Sequence, residues 1–308
     1  MQRQHSQGTP GSARTRDGRE LFFMEQAGPA DAGPVTVVFE SGLAATRSYW
    51  ALVQRDVARS ARTVVYDRSG LGRSAPDPSG ARDLRRLADD LGDLLDHLGP
   101  GPFVLVGHSW GGPVVRLAAA NRPGRIAGLV LADPTDEACE LLFDQSIRRL
   151  EKSRLRIALL LARLKVFGLL FRKVTAALPP DAAADMRAEA FTVAAVRAMG
   201  VEQERIEADL RYLLERPPAL GDIPLTVISA TLRTPGMSAK ARESINASHA
   251  HRVRQSSHGR HVLARRADHM VPTSEPEVIA AEVRRLLTAP EAAPETATEA
   301  GPEAAPER

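Results

Sequence analysis

Val104-Leu105-Val106-Gly107-His108-Ser109-Trp110-Gly111-Gly112 decides how the rest of the chain is read. An apolar run ends in a turn that only small residues allow, and a helix follows from about Pro113. The kernel, Gly107-x-Ser109-x-Gly111, is the nucleophile-elbow pattern. A serine at so sharp a strand-to-helix corner stands clear of the backbone. Glycines flank it because a Cβ at those positions would clash in the turn. The helix behind it aims backbone N–H groups at any negative charge that develops beside Ser109.

Working outward, short apolar runs at 35–39, 63–66, 103–106 and 126–132 alternate with helical patterns at 48–60, 82–98 and 113–121. The second helix is the clearest, with Leu84, Leu87, Leu91, Leu94, Leu95 and Leu98 at helical spacing. Gly99-Pro100-Gly101-Pro102 stops it. Strand and helix in alternation predict a parallel sheet in an α/β fold. The rhythm breaks over 137–216, which is helical in pattern and strand-poor. It resumes with strands at 225–230 and 261–264 and a last helix from about Glu275 to Leu287. Residues 1–17 are polar and read as a disordered leader. The Ala/Pro/Glu-rich end, 289–308, reads as a disordered tail. Residues 18–136 and 217–288 are then the α/β core, with 137–216 inserted in it.

Composition narrows the function classes. The 308 residues are 43% apolar, as in an ordinary soluble globule, and can bury a sizeable core. The formal charge of +3 comes with 37 arginines and 4 lysines, but no nucleic-acid motif accompanies it, so no nucleic-acid partner is expected. Cys139 is the single cysteine, which leaves no intrachain disulfide. The polar N-terminal stretch is no signal peptide and no run is long enough to span a membrane; the expected location is cytoplasmic. No metal-ligand cluster appears, and Asp67-Arg68-Ser69-Gly70-Leu71-Gly72-Arg73-Ser74 lacks the pattern of a nucleotide loop. The expected chemistry uses no cofactor. The sequence sets no oligomeric state.

A serine hydroxyl is a weak nucleophile at neutral pH and needs a base, an acid to orient the base, and N–H donors for the oxyanion. Among eight histidines, His269 alone lies in the loop between the last strand and the last helix, which makes it the candidate base. His249, His251, His258 and His261 fall in a polar, Arg-rich region and read as surface residues.

These motifs resemble the α/β-hydrolase superfamily over residues 18–288. The resemblance rests on Gly107-His108-Ser109-Trp110-Gly111-Gly112, on the 67–74 turn after the preceding strand, and on Asp268-His269 before the last helix. It implies a mostly parallel eight-stranded sheet, with 137–216 as a helical cap over the active site. It also implies the acid a few residues after strand 225–230, and there this chain departs from the pattern. Residues 231–238 contain no carboxylate, and the next, Glu243, falls inside a helical stretch. A minority of the superfamily places the acid one strand earlier. That loop reads Ala132-Asp133-Pro134-Thr135-Asp136-Glu137, so Asp133 is the candidate acid and Asp136 the reserve. The alternative for Asp133 is a turn or helix cap. The oxyanion donors implied are the N–H groups of Trp110 and of Leu43, in the loop Glu40-Ser41-Gly42-Leu43.

The expected activity is that of a serine hydrolase acting by acyl transfer on a small or medium hydrophobic ester, thioester, lactone or amide. A cofactor-free perhydrolase or a carbon–carbon bond hydrolase would use the same three residues. A non-catalytic ligand-binding member is the reading from another class, supported by the empty acid position. Residues 156–171, apolar with basic interruptions, fit a cap helix lining an acyl pocket, which their place inside the insertion favours. A helix lying on a membrane surface is the other reading.

Overall fold

A computed structural model describes residues 4–288. In chain order its elements are β1 (Thr9–Arg14), β2 (Glu20–Gln26), β3 (Thr36–Glu40), α1 (Ala51–Val57), β4 (Arg62–Tyr66), α2 (Leu84–Leu98), β5 (Phe103–His108), α3 (Gly111–Asn121) and β6 (Ile126–Ala132). Then come α4 (Gln145–Arg163), α5 (Arg172–Ala177), α6 (Pro180–Glu189) and α7 (Val193–Glu215). The chain returns to the sheet with β7 (Leu225–Ala230), α8 (Ala239–Arg254), β8 (Gly259–Ala264), α9 (Val271–Ser274) and α10 (Pro276–Thr288).

The eight strands form one sheet in the order β1-β2-β4-β3-β5-β6-β7-β8. Only the pairings of β2, with β1 and with β4, are antiparallel. The central strands β3 and β5 are buried at every position, as parallel strands covered on both faces must be. Leu87, Leu91 and Leu94 of α2 pack with Val114 and Ala118 of α3 on one face. Val53 and Val57 of α1 and Ile279 and Val283 of α10 cover the other.

The expected leader is corrected from residue 4 onward, because residues 9–14 are an edge strand. β1 pairs with β2 from Thr9↔Glu25 to Arg14↔Glu20. An edge strand needs no apolar run, since most of it faces solvent; of its six residues only Ala13 is buried. Gly11 lies under the Phe23 ring, where a Cβ would come within 2.3 Å. Ser6 ties the segment to the insertion by donating its N–H and hydroxyl to the Asp181 carboxylate, both at 2.6 Å. The expected tail, 289–308, lies outside the described residues.

The elbow joins β5 to α3. A Cβ on Gly107 would sit 2.6 Å from the Gly111 carbonyl oxygen, and one on Gly111 would sit 2.5 Å from the Glu40 carbonyl oxygen. Both obstacles are backbone and cannot swing aside. Gly107→Ala therefore forces the turn open and lowers stability by about 2 kcal/mol. A urea unfolding series against the parent chain measures it; an unchanged midpoint would show the turn to be looser than its contacts imply.

Candidate active site

Ser109 is held at φ +53°, a left-handed conformation that non-glycine residues seldom adopt. Neighbouring backbone fixes it there: its N–H donates to the Ala132 carbonyl at 3.2 Å, and its carbonyl accepts from Gly112 at 3.0 Å and Thr135 at 2.9 Å. The strained residue is the one whose side chain faces the space beneath the inserted helices.

His269 lies between β8 and α9, with its Nε2 3.0 Å from the Ser109 Oγ. Its Nδ1 is 2.7 Å from Asp133 Oδ2. A carboxylate only accepts, so Nδ1 carries the proton and Nε2 is left to accept from the serine hydroxyl. The structure thus brings Ser109, His269 and Asp133 into one hydrogen-bonded line.

Asp133 reaches the histidine because β6 and β7 are neighbours. Ala132 is opposite Ile228 in their register. The residue after β6 therefore stands at the end of β7, the position that the common pattern fills from the β7 loop. The Asp133 N–H donates to the Ile228 carbonyl at 2.7 Å, and its own φ is +42°. Oδ1 accepts from the Ala230 N–H at 3.0 Å and from Arg242 Nη1 at 2.7 Å. Burial favours the neutral acid. The hydrogen bond from His269, with the Arg242 cation beside the carboxylate, outweighs burial and holds the carboxyl well below the usual range. Asp136 is elsewhere: Arg252 Nε donates to it at 2.8 Å and Arg116 lies 3.7 Å away. Glu243 is exposed on α8.

Two further residues act through these. The buried His108 ring lies tilted against His269, with centroids 4.8 Å apart, and its Nε2 donates to the His269 carbonyl at 2.7 Å. Burial pushes its pKa down to about 3, and a proton on the adjacent His269 disfavours a second charge there, so it stays neutral as it braces the histidine loop. Arg68 Nη2 donates to the Gly42 carbonyl. In a trans peptide, C=O and N–H point opposite ways, so holding that oxygen inward turns the Leu43 N–H outward. Leu43 and Trp110 both border the space around Ser109. Among the described residues neither of their N–H groups has a protein acceptor. Arg68 lies in the 67–74 turn, where the sequence points to buried polar contacts for Asp67 and Arg68. Both are buried, but the sequence does not name the Gly42 carbonyl as the partner. The GHS triplet likewise gave no hint of what His108 would brace.

His249 corrects its surface reading. It is fully buried on α8, with Nδ1 2.7 Å from Ser229 Oγ and Nε2 2.8 Å from the Pro134 carbonyl. It pins the chain just after Asp133. Among the described residues no cluster of His, Cys, Asp and Glu has the geometry to hold a metal ion.

Ser109 opens onto two spaces. An apolar chamber of about 310 Å³ is walled by Tyr49, Phe167, Phe171, Met186, Phe191 and Met270 among others. A smaller space of mixed lining, about 170 Å³, is bordered by Trp110, Leu142 and Leu155 as well as Arg148, Glu151 and Gln203.

A serine at the turn after the central strand, with a histidine beyond the last strand of a mostly parallel eight-stranded sheet, defines an α/β-hydrolase fold. The chain belongs to that family: the family model for the alpha/beta hydrolase fold matches residues 35–207. It is similar to an AB hydrolase superfamily protein of Gibberella zeae, 28% identical over 299 residues that cover 87% of this chain and 91% of that one. A protein of Rhizobium rhizogenes, named as a carbamate hydrolase, is 34% identical over 124 residues, 38% of this chain and 46% of its own. The match thus spans about half of that relative. Among solved structures, an esterase from Thermogutta terrifontis superposes with a TM-score of 0.63 at 22% identity, covering 91% of this chain and 98% of that one. An enol-lactonase from Burkholderia xenovorans does so with a TM-score of 0.63 at 21% identity, covering 90% and 100%. These likenesses to solved structures show the fold. No helix among the described residues is long and apolar enough to cross a membrane.

Proposed function

We propose that this chain is a serine hydrolase that cleaves small or medium hydrophobic carboxylic esters by acyl transfer. The observation that carries the reading is the line Ser109 Oγ–His269 Nε2–Asp133 Oδ2, at 3.0 and 2.7 Å, at the mouth of an apolar chamber. Ser109 Oγ attacks the carbonyl carbon as its proton passes to His269 Nε2, and Asp133 holds the ring through Nδ1–H. The Leu43 and Trp110 N–H groups receive the oxyanion. Collapse expels the alcohol, which takes the proton back from His269. Water then repeats the sequence on the acyl-serine and releases the acid. The helices α4–α7 serve as the cap, and Phe167, Phe171 and Phe191, in the turns between them, receive the acyl group.

Asp133 stands where the acid of the common pattern would end, so the empty 231–238 loop gives no support to a non-catalytic reading. The relatives named for carbamate and enol-lactone substrates bring those carbonyls into the assay alongside simple esters.

A fluorophosphonate probe tests the proposal. It labels the folded protein once, and peptide mass spectrometry places the adduct on Ser109. A panel of p-nitrophenyl esters of increasing acyl length then peaks at short or medium chains. A folded protein that takes no label, or takes it at another serine, would refute the serine-hydrolase reading.

A further inference from the structure

The insertion presents an apolar stripe to solvent. Leu150, Ile157 and Leu164 recur every seven residues along α4 and its end, and are 51%, 58% and 62% exposed. Leu160 lies between them on the same face, and the following turn adds Leu169 and Leu170 at 66% and 68%. The opposite face of α4 buries Ala158 and Ala162, so the helix is already docked on its inner side. Soluble surfaces seldom leave so many leucines together.

A basic stripe runs beside the apolar one. Arg149, Arg156 and Arg163 keep the same seven-residue interval and are all exposed. Residues 152–180 hold seven Lys and Arg and no Asp or Glu. Among the described residues, none of those seven pairs with a carboxylate. A second copy seated on the leucines would set these arginine flanks against each other, a like-charge arrangement that opposes pairing. An anionic, partly apolar surface suits both stripes at once.

We propose that this face docks on an anionic lipid bilayer. The leucines enter the boundary between headgroups and acyl chains, and the arginines lay their stems along the apolar stripe with the guanidinium groups on lipid phosphates. Leu169 and Leu170 belong to the single turn whose Phe167 and Phe171 wall the chamber beside Ser109. Docking sets that turn between the lipid and the chamber. The binding does not depend on Ser109 being a nucleophile.

Co-sedimentation of the full-length Ser109→Ala protein with vesicles tests this without turnover. Vesicles of phosphatidylcholine with phosphatidylglycerol bind the protein; vesicles of phosphatidylcholine alone bind it at least about tenfold more weakly, and salt erodes the difference. Arg156→Glu with Arg163→Glu lowers the partition coefficient at least about tenfold. Leu169→Ser with Leu170→Ser lowers it at unchanged charge. These side chains are exposed, so thermal unfolding of both double variants stays at the parent value. Equal binding to the two vesicle types, or binding untouched by either pair, overturns the proposal. So does a concentration-dependent dimer that the leucine pair dissolves.

Discussion

Ser109→Ala abolishes ester turnover, lowering kcat by about 10⁵-fold or more, and His269→Ala lowers it about as far. The double variant is no worse than either single one, because the serine and the histidine act as one unit and removing one idles the other. Other nucleophiles near the site offer no substitute. Tyr49 borders the chamber, but burial and then the charge of Asp268 push its hydroxyl well above the usual range. Burial likewise raises the Cys139 thiol, which lies 3.9 Å from Ser244 and outside both spaces beside Ser109. A buried, neutral thiol is inert. Turnover and fluorophosphonate labelling of the three variants measure the effect. Residual kcat within tenfold of the parent would move the chemistry away from Ser109.

The elbow was legible because its constraints are local: two glycines, a serine and an apolar run lie within nine residues. His269 was legible by order, as the histidine between the last strand and the last helix. Asp133 was reachable by absence, since an empty loop after β7 sends the search to the neighbouring strand. What the sequence concealed depends on contacts between distant elements. Arg242 meets Asp133 across 109 positions, and Arg68 meets Gly42 across 26. His249 looked like one polar residue among many until α8 folded onto β7 and buried it. β1 was concealed for another reason: an edge strand takes its stability from the ladder with β2 and needs little hydrophobic pattern of its own.

Asp133→Asn lowers kcat by about 10⁴-fold with KM little changed, whereas Asp136→Asn leaves kcat within about tenfold. The size of the first effect comes from the tautomer. An asparagine amide turned toward His269 offers N–H where the ring needs an acceptor, so the ring proton moves to Nε2. A protonated Nε2 cannot take the proton of Ser109. Asp136 has no such hold, because its oxygens are engaged by Arg252 and by the Ala138 N–H. Losing charge at Asp133 has a second consequence, on stability. Arg242 is 4% exposed, and both Asp133 oxygens lie within 3.0 Å of its Nη1. Neutralising Asp133 strands a buried cation, which costs about 3 kcal/mol. Adding Arg242→Gln to Asp133→Asn removes that cation and restores much of the stability, while kcat stays at the level of the single variant. Urea unfolding and steady-state kinetics on the same three proteins separate the two roles. Recovery of kcat in the double variant would show that Asp133 serves Arg242 alone and that the orienting acid lies elsewhere.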